Sequence, residues 1–253
     1  LYGFGLVIIL KKLGETMKEK IINNKIPIYE MIPETLDEII ITVHGLGGNK
    51  KEISKLPQEL LNENIGFISF DFPYHGTSKE DYKSYTVTSC LNTIDQVYNY
   101  ALSTYPCVKV NFIGNSLGAL YLYMYLQTYR TPCKVIFKSM PLNNYQNMKK
   151  KFIKNDSNDY FEVGYGRRLP KQLISDIKTL EDSLNELTLN KNNILFINGT
   201  EDKISDINLI RKFCEEYNYN LCEIEGASHN FKNEYLDKAN NEIFDFYQKR
   251  KIR

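Results

Sequence analysis

Strand-like and helix-like segments alternate along this chain from about residue 18 to its end, and that alternation limits the available folds more than any other feature. Glu38–Val43 (EIIITV), Gly66–Phe70, Val108–Ile113, Lys134–Ser139, Ile194–Asn198 and Asn220–Ile224 are short runs rich in β-branched and aromatic residues, as buried strands are. Lys20–Asn23 and Ile26–Met31 form two further short strands that open the series. Helical patterns separate them. Ile53–Leu61 is one, and Thr86–Tyr105 carries Val87, Leu91, Ile94, Val97 and Ala101 on a single face. Ser116–Tyr129 is apolar nearly all round and so predicts a buried helix. Ile207, Ile210, Cys214 and Tyr217 mark another, and Tyr235–Tyr247 closes the chain as an amphipathic helix. Strands that alternate with helices pair in parallel, because each return crossing is a helix lying on a sheet face. The expected architecture is therefore α/β, a mostly parallel sheet with helices on both faces. Ligands bind such sheets beyond the carboxyl ends of the strands, here after Val43, Phe70, Ile113 and Asn198.

Two stretches stand outside this rhythm. The segment from Pro141 to about Asn190 is too long for a plain crossover and reads as an inserted cap over residues 141–190. It holds a polar run, then Tyr160-Phe161 and Gly164-Tyr165-Gly166, then a helical pattern near Lys171–Leu187. The core is then expected over 17–140 and 191–253. At the other end, the apolar run Leu1–Leu10 is too short to cross a bilayer, which takes about 20 residues. Its basic residues Lys11-Lys12 follow the run, where a secretory signal places them before it. Gly14-Glu15 can be encoded by a ribosome-binding sequence, so residues 1–16 are expected to be a non-native or disordered extension ahead of a start at Met17. An ordinary N-terminal segment or a short membrane-associating one is the alternative.

Charge and cysteine usage exclude several classes. The 32 basic and 31 acidic residues leave a net charge of +1, without the basic excess of a nucleic-acid binder. Five cysteines without a CxxC pair predict free thiols and a cytoplasmic protein, and three histidines away from paired cysteines predict no metal site.

Gly114-Asn115-Ser116-Leu117-Gly118 fits G-x-S-x-G. Roughly one chain in ten of this length would carry that pattern by chance, but here it follows a strand and opens a helix, as a nucleophile elbow requires. A serine hydroxyl needs a base to take its proton. His44 and His75 precede the serine, whereas His229 follows the last strand and is the expected base. Asp202, after the strand Ile194–Asn198 and the Gly199 turn, is the expected partner of the imidazole, with Glu201 and Asp206 as competitors. Catalytic Ser116, Asp202 and His229 would work with an oxyanion hole formed by the amides of Leu46 and Leu117. His44-Gly45-Leu46-Gly47-Gly48 supplies the first of these, because glycines after a strand let backbone amides approach a substrate oxygen. The loop lacks the Lys-Ser/Thr ending and the G-x-G-x-x-G spacing of phosphate-binding loops. His44 and Gly45 sit at the expected substrate pocket, His44 orienting the loop by hydrogen bonding. Tyr160, Phe161 and Tyr165 either line that pocket or pack the cap onto the core.

These motifs, together with Asp71-Phe72-Pro73-Tyr74-His75-Gly76-Thr77-Ser78, stand in the order of the α/β-hydrolase family, which the chain resembles from about residue 20 onward, most of the cap excepted. The Asp71–Ser78 segment is similar to the D-x-x-G-H-G-x-S segment of the monoacylglycerol lipase and cinnamoyl (feruloyl) esterase branches, with Tyr74 where that branch has glycine. The resemblance implies the α/β-hydrolase fold and two-step acyl transfer, with no cofactor. The expected substrate is a small-molecule carboxylic ester of small to medium size, aryl esters included. Thioesterase, amidase or acyltransferase activity would use the same residues, and a non-catalytic binding role is a third class. The absence of a long apolar lid helix predicts no stable membrane insertion. Oligomeric state does not follow from these features.

Overall fold

The computed structural model describes residues 17–129, 131, 133–152, 159–163 and 167–248. The expected extension over 1–16 and the candidate Tyr165 lie outside them. The strands, in chain order, are β1 (Lys18–Ile22), β2 (Ile26–Met31), β3 (Glu38–Val43), β4 (Ile65–Phe70), β5 (Lys109–Asn115), β6 (Val135–Lys138), β7 (Tyr160–Val163), β8 (Arg167–Pro170), β9 (Ile194–Gly199) and β10 (Asn220–Ile224). The helices are α1 (Val87–Thr104), α2 (Leu117–Tyr129), α3 (Asn144–Phe152), α4 (Lys171–Asp182), α5 (Ile207–Tyr217) and α6 (Glu234–Gln248).

Eight strands form one sheet in the order β1-β2-β4-β3-β5-β6-β9-β10. From β4 to β10 every pairing is parallel, and the β1–β2 hairpin adds an antiparallel edge. The chain winds outward from β3 to β4 on one side and to β5 on the other. That reversal opens a crevice at the carboxyl ends of β3 and β5, where a doubly wound sheet places its ligand. β3 and β4 are buried along their whole length, which is why they read as continuous apolar runs rather than alternating ones.

α2 is buried on nearly every side, although it carries several tyrosines. Their hydroxyls are satisfied: Tyr121 donates to Tyr85 at 3.2 Å, Tyr123 to the Asn185 carbonyl at 2.7 Å and Tyr125 to Asp95 at 3.1 Å. α1 starts at a reciprocal cap between Thr86 and Ser89 and buries Val87, Cys90, Ile94, Val97 and Ala101. No disulfide joins any of the five cysteines, and Cys90, Cys133 and Cys214 are buried. Among the described residues, no helix is long and apolar enough to cross a membrane.

Two local expectations change. The helix predicted over Ile53–Leu61 is instead a pair of 3₁₀ turns, Lys50–Lys55 and Gln58–Glu63. Pro57 lies between them; it has no N–H to donate, and its ring holds Leu56 in extended backbone at φ −82°, ψ 157°. Between β6 and β9, the helix predicted near Lys171–Leu187 stops at Asp182, where Ser183 hydrogen-bonds the Leu180 carbonyl through both its N–H and its hydroxyl. The same stretch also contains the antiparallel β7–β8 hairpin, which the sequence pattern did not disclose. α3 and α4 are fastened by Glu181, whose carboxylate accepts the N–H groups of Asn144 and Tyr145 at the start of α3. Burial pushes that carboxyl up to about 7, against those two hydrogen bonds.

Candidate active site

Ser116 sits immediately between β5 and α2 with φ of +51°, a left-handed conformation that costs a non-glycine residue on the order of 1 kcal/mol or more. The turn is held by the Ser116 N–H, which donates to the Lys138 carbonyl at 2.8 Å. The two glycines of the motif are sterically required. A Cβ at Gly118 would lie 2.3 Å from the His44 carbonyl oxygen, and one at Gly114 would lie 2.6 Å from the Ala119 Cα. Gly45 is equally confined, since its Cβ would meet the Ser116 Cβ at 2.8 Å. The loop after β3 and the elbow after β5 are therefore in backbone contact.

His229 follows β10 and Asp202 follows β9, which brings both to the same sheet edge as Ser116. The His229 Nε2 lies 2.8 Å from the Ser116 Oγ, and its Nδ1 lies 2.8 Å and 3.0 Å from the two Asp202 carboxylate oxygens. A carboxylate only accepts, so Nδ1 donates to Asp202, and in the neutral ring the lone pair of Nε2 faces the serine hydroxyl. The Asp202 side chain is shut off from solvent, and burial alone would raise its pKa. The hydrogen bonds from His229, Ser205 N–H and Ile204 N–H outweigh that and hold the carboxyl below its ordinary range. Of the two competitors, Asp206 caps the N-terminus of α5 by accepting the Asn208 N–H, and Glu201 is exposed. The Leu117 N–H is one of the first-turn donors for which a helix has no internal acceptor. Leu46 shares the larger cavity with Leu117 and, with Ser116 and His229, lines two cavities.

The loop that carries Leu46 is pinned from below. His44 donates from Nδ1 to the Gly45 carbonyl at 2.8 Å and accepts the Phe72 N–H at Nε2, 3.1 Å away. His75 donates from Nδ1 to the Pro73 carbonyl at 2.9 Å. Both rings are buried, and burial lowers their pKa values to about 3 for His44 and about 4 for His75. They stay neutral in the folded protein at pH values where the unfolded chain, titrating near 6.5, takes up protons. Stability is therefore expected to fall as pH is lowered from about 6.5 toward 4, by roughly 1.4 kcal/mol per pH unit for each ring. Urea denaturation at a series of pH values measures this slope, and a His75→Gln variant should lose its share of it; an equal slope in the variant would refute the assignment.

Sequence reasoning missed the ion pair beneath this loop. Lys50, 1% exposed, donates from Nζ to Asp71 at 2.8 Å and to the Thr77 hydroxyl at 2.6 Å, while its backbone N–H donates to the other Asp71 oxygen at 2.7 Å. Asp71 also accepts the Thr77 N–H at 2.8 Å, and a Cβ at Gly76 (φ +55°) would collide with its carboxylate. The loop after β3 is thereby tied to the loop after β4. Tyr74, at the position where the resembling branch has glycine, adopts φ +63°, so the left-handed turn persists without the glycine. Its hydroxyl accepts the Arg168 N–H at 3.3 Å. From the same hairpin, the Arg167 guanidinium rests against Gly47, where an added Cβ would lie 2.4 Å from Nη1.

Of the predicted pocket residues, Gly45 lines a cavity beside Ser116, and His44 lies beneath the loop. Tyr160 packs edge-on to Tyr82 at 5.5 Å and under Arg168 at 4.7 Å, and Phe161 packs against the core. Neither is among the residues lining the two cavities at the serine. The larger cavity, toward α3, measures about 390 Å³ and is walled by Leu117, Met148 and Ile204, with Asn144, Asn147, Lys203 and Asn230 among its polar members. The second cavity, about 140 Å³, brings in Glu52, Asn115 and Lys138, which the sequence analysis did not single out. The only sequence signal for Lys138 is a lone charge at the end of an apolar strand.

Comparison with known proteins is consistent with this architecture. Residues 38–144 match the family model described as alpha/beta hydrolase fold. No curated protein matches the chain. Est1E from Butyrivibrio proteoclasticus is similar in structure with a TM-score of 0.72 at 20% identity, over 92% of this chain and 98% of that one. The same protein with ferulic acid bound gives 0.77 at 19% identity over the same shares. A monoacylglycerol lipase from Paleococcus ferrophilus gives 0.66 at 19% identity, over 87% of this chain and 97% of that one.

Proposed function

We propose that this chain, which has the α/β-hydrolase fold, is a serine hydrolase that cleaves carboxylic esters of small to medium acyl groups, aromatic ones included. The observation that carries the reading is the continuous chain of contacts from Ser116 Oγ through the His229 ring to the buried Asp202 carboxylate. In the proposed reaction, Ser116 Oγ attacks the ester carbonyl while Nε2 takes its proton. The Leu46 and Leu117 amides stabilise the oxyanion, and Asp202 stabilises the imidazolium. The C–O bond to the leaving group then breaks, and the departing alcohol oxygen receives the proton from Nε2. Water, deprotonated by the same nitrogen, attacks the acyl-serine and releases the acid. The likeness to Est1E, solved with an aromatic acid bound, and to a monoacylglycerol lipase supports an ester as the substrate.

Hydrolysis of p-nitrophenyl esters from acetyl to palmitoyl tests this. Because the larger cavity holds only about 390 Å³, the rate should peak at short or middle chains. A rate rising to palmitoyl would sink the size assignment. Silence across the series from folded protein would sink the esterase reading in favour of thioesters, amides or a non-catalytic role.

A further inference from the structure

The smaller cavity at Ser116 opens between the Lys50–Lys55 turn, the end of β6 and the start of α6, away from α3. Its character differs from that of the larger one. Glu52 and Lys138 both line it, from segments more than eighty residues apart in sequence, and both are partly buried. Among the described residues, neither makes an ion pair, with each other or with a third group. Among the described residues, the Glu52 carboxylate accepts one hydrogen bond, a long one of 3.4 Å from Asn115 Nδ2. The Lys138 ammonium makes none to the described residues and lies 5.4 Å from the centre of the Phe231 ring.

Two opposite charges withdrawn from bulk water normally close onto each other, since an unpaired buried charge is costly. Here they attract across the cavity without meeting. Burial raises the Glu52 carboxyl, and it lowers Lys138 to about 8, against the pull of Glu52, so the amine is still largely protonated at neutral pH. Both groups are therefore available to a ligand that bridges them, next to the nucleophile. Lys55 adds a second cation at the rim. At about 140 Å³, this cavity is the smaller of the two and suits a small polar group. The larger, more apolar cavity is left for the acyl part.

We propose that Glu52 and Lys138 form a subsite for a small zwitterionic leaving group, so that the ester is one of a small hydroxy-amino acid, its ammonium facing Glu52 and its carboxylate facing Lys138. The assignment of this group to the leaving side rests on the serine-esterase reading above. Its alcohol oxygen would collect the proton from His229, which lines the same cavity.

Titration calorimetry of the full chain with L-serine, ethanolamine, 3-hydroxypropionate and propane-1,2-diol tests the subsite without requiring turnover. L-serine should bind at least tenfold more tightly than each of the other three. Glu52→Gln and Lys138→Met should each weaken L-serine at least tenfold, with circular dichroism showing that both variants fold. Equal binding of the four compounds, no binding by any, or unaltered L-serine affinity in either folded variant would overturn the proposal. Hydrolysis of O-acetyl-L-serine beside p-nitrophenyl acetate separates it from the reading on which it rests. Turnover of the aryl ester with no L-serine binding removes the subsite and keeps the esterase. L-serine binding with no ester turned over does the opposite.

Discussion

Replacing Ser116 by Ala is expected to lower kcat on the best p-nitrophenyl ester by at least about 10⁴-fold, since the loss of one member of such a relay costs nearly as much as the loss of all. The substitution removes one oxygen. It leaves the Ser116 N–H to Lys138 carbonyl bond, and alanine meets the same left-handed backbone at φ +51° that serine already tolerates. Melting should therefore move little, which separates the chemical effect from misfolding. The Leu46 and Leu117 amides, the proposed oxyanion donors, remain, so a residual rate above that of water is expected. His229→Asn should fall to a similar floor, and the double variant should fall no further, because in the proposed reaction the two groups act in one proton transfer. A Ser116→Ala protein that keeps its rate would place the nucleophile elsewhere.

The largest expected stability effect lies beneath the site. Lys50→Met should destabilise the protein by about 3–5 kcal/mol, because it leaves the Asp71 carboxylate buried without its cation. Burial would raise that carboxyl, yet the hydrogen bonds from Lys50 and from the Thr77 N–H hold it below its ordinary range, so its stabilising contribution exists above the carboxylate range and is lost as pH falls through it. A second change, Asp71→Asn, should recover part of the loss in the double variant, because the uncompensated charge is gone. Urea denaturation of the four proteins of the cycle gives the coupling. A Lys50→Met cost below about 1 kcal/mol would mean that Glu19, the half-exposed second partner of Lys50, and solvent set the energetics of this cluster. KM and kcat should also change, since the pair ties the loop carrying Leu46 to the loop after β4.

Properties that depend on near neighbours along the chain were legible in the sequence. The extents of β3, α1 and α5 follow from side-chain period. The glycines at 114 and 118 follow from a turn too tight for side chains. Ser116, Asp202 and His229 could be proposed together because each follows a strand, and parallel strands deliver their carboxyl ends to one edge. Two local effects override side-chain period: Pro57 splits a helical pattern into two 3₁₀ turns, and the Ser183 hydroxyl ends α4 early.

What only the tertiary structure decided were the choices between chemically similar side chains. Asp202, Glu201 and Asp206 lie within five positions of one another, and a few ångströms of loop geometry give the first to His229 and the last to the α5 cap. Tyr160 and Phe161 have the composition of a pocket wall, but the β7–β8 hairpin turns them onto Tyr82, Arg168 and the core. Lys50 meets Asp71 across two loops, and Glu52 and Lys138 meet a common cavity from separate elements. The physical reason is range. Backbone period, capping and glycine sterics act within a few residues and leave a mark in the local pattern. Ion pairs and cavities are made by side chains that distant segments bring together, and a single chain carries no local mark of which charge will face which.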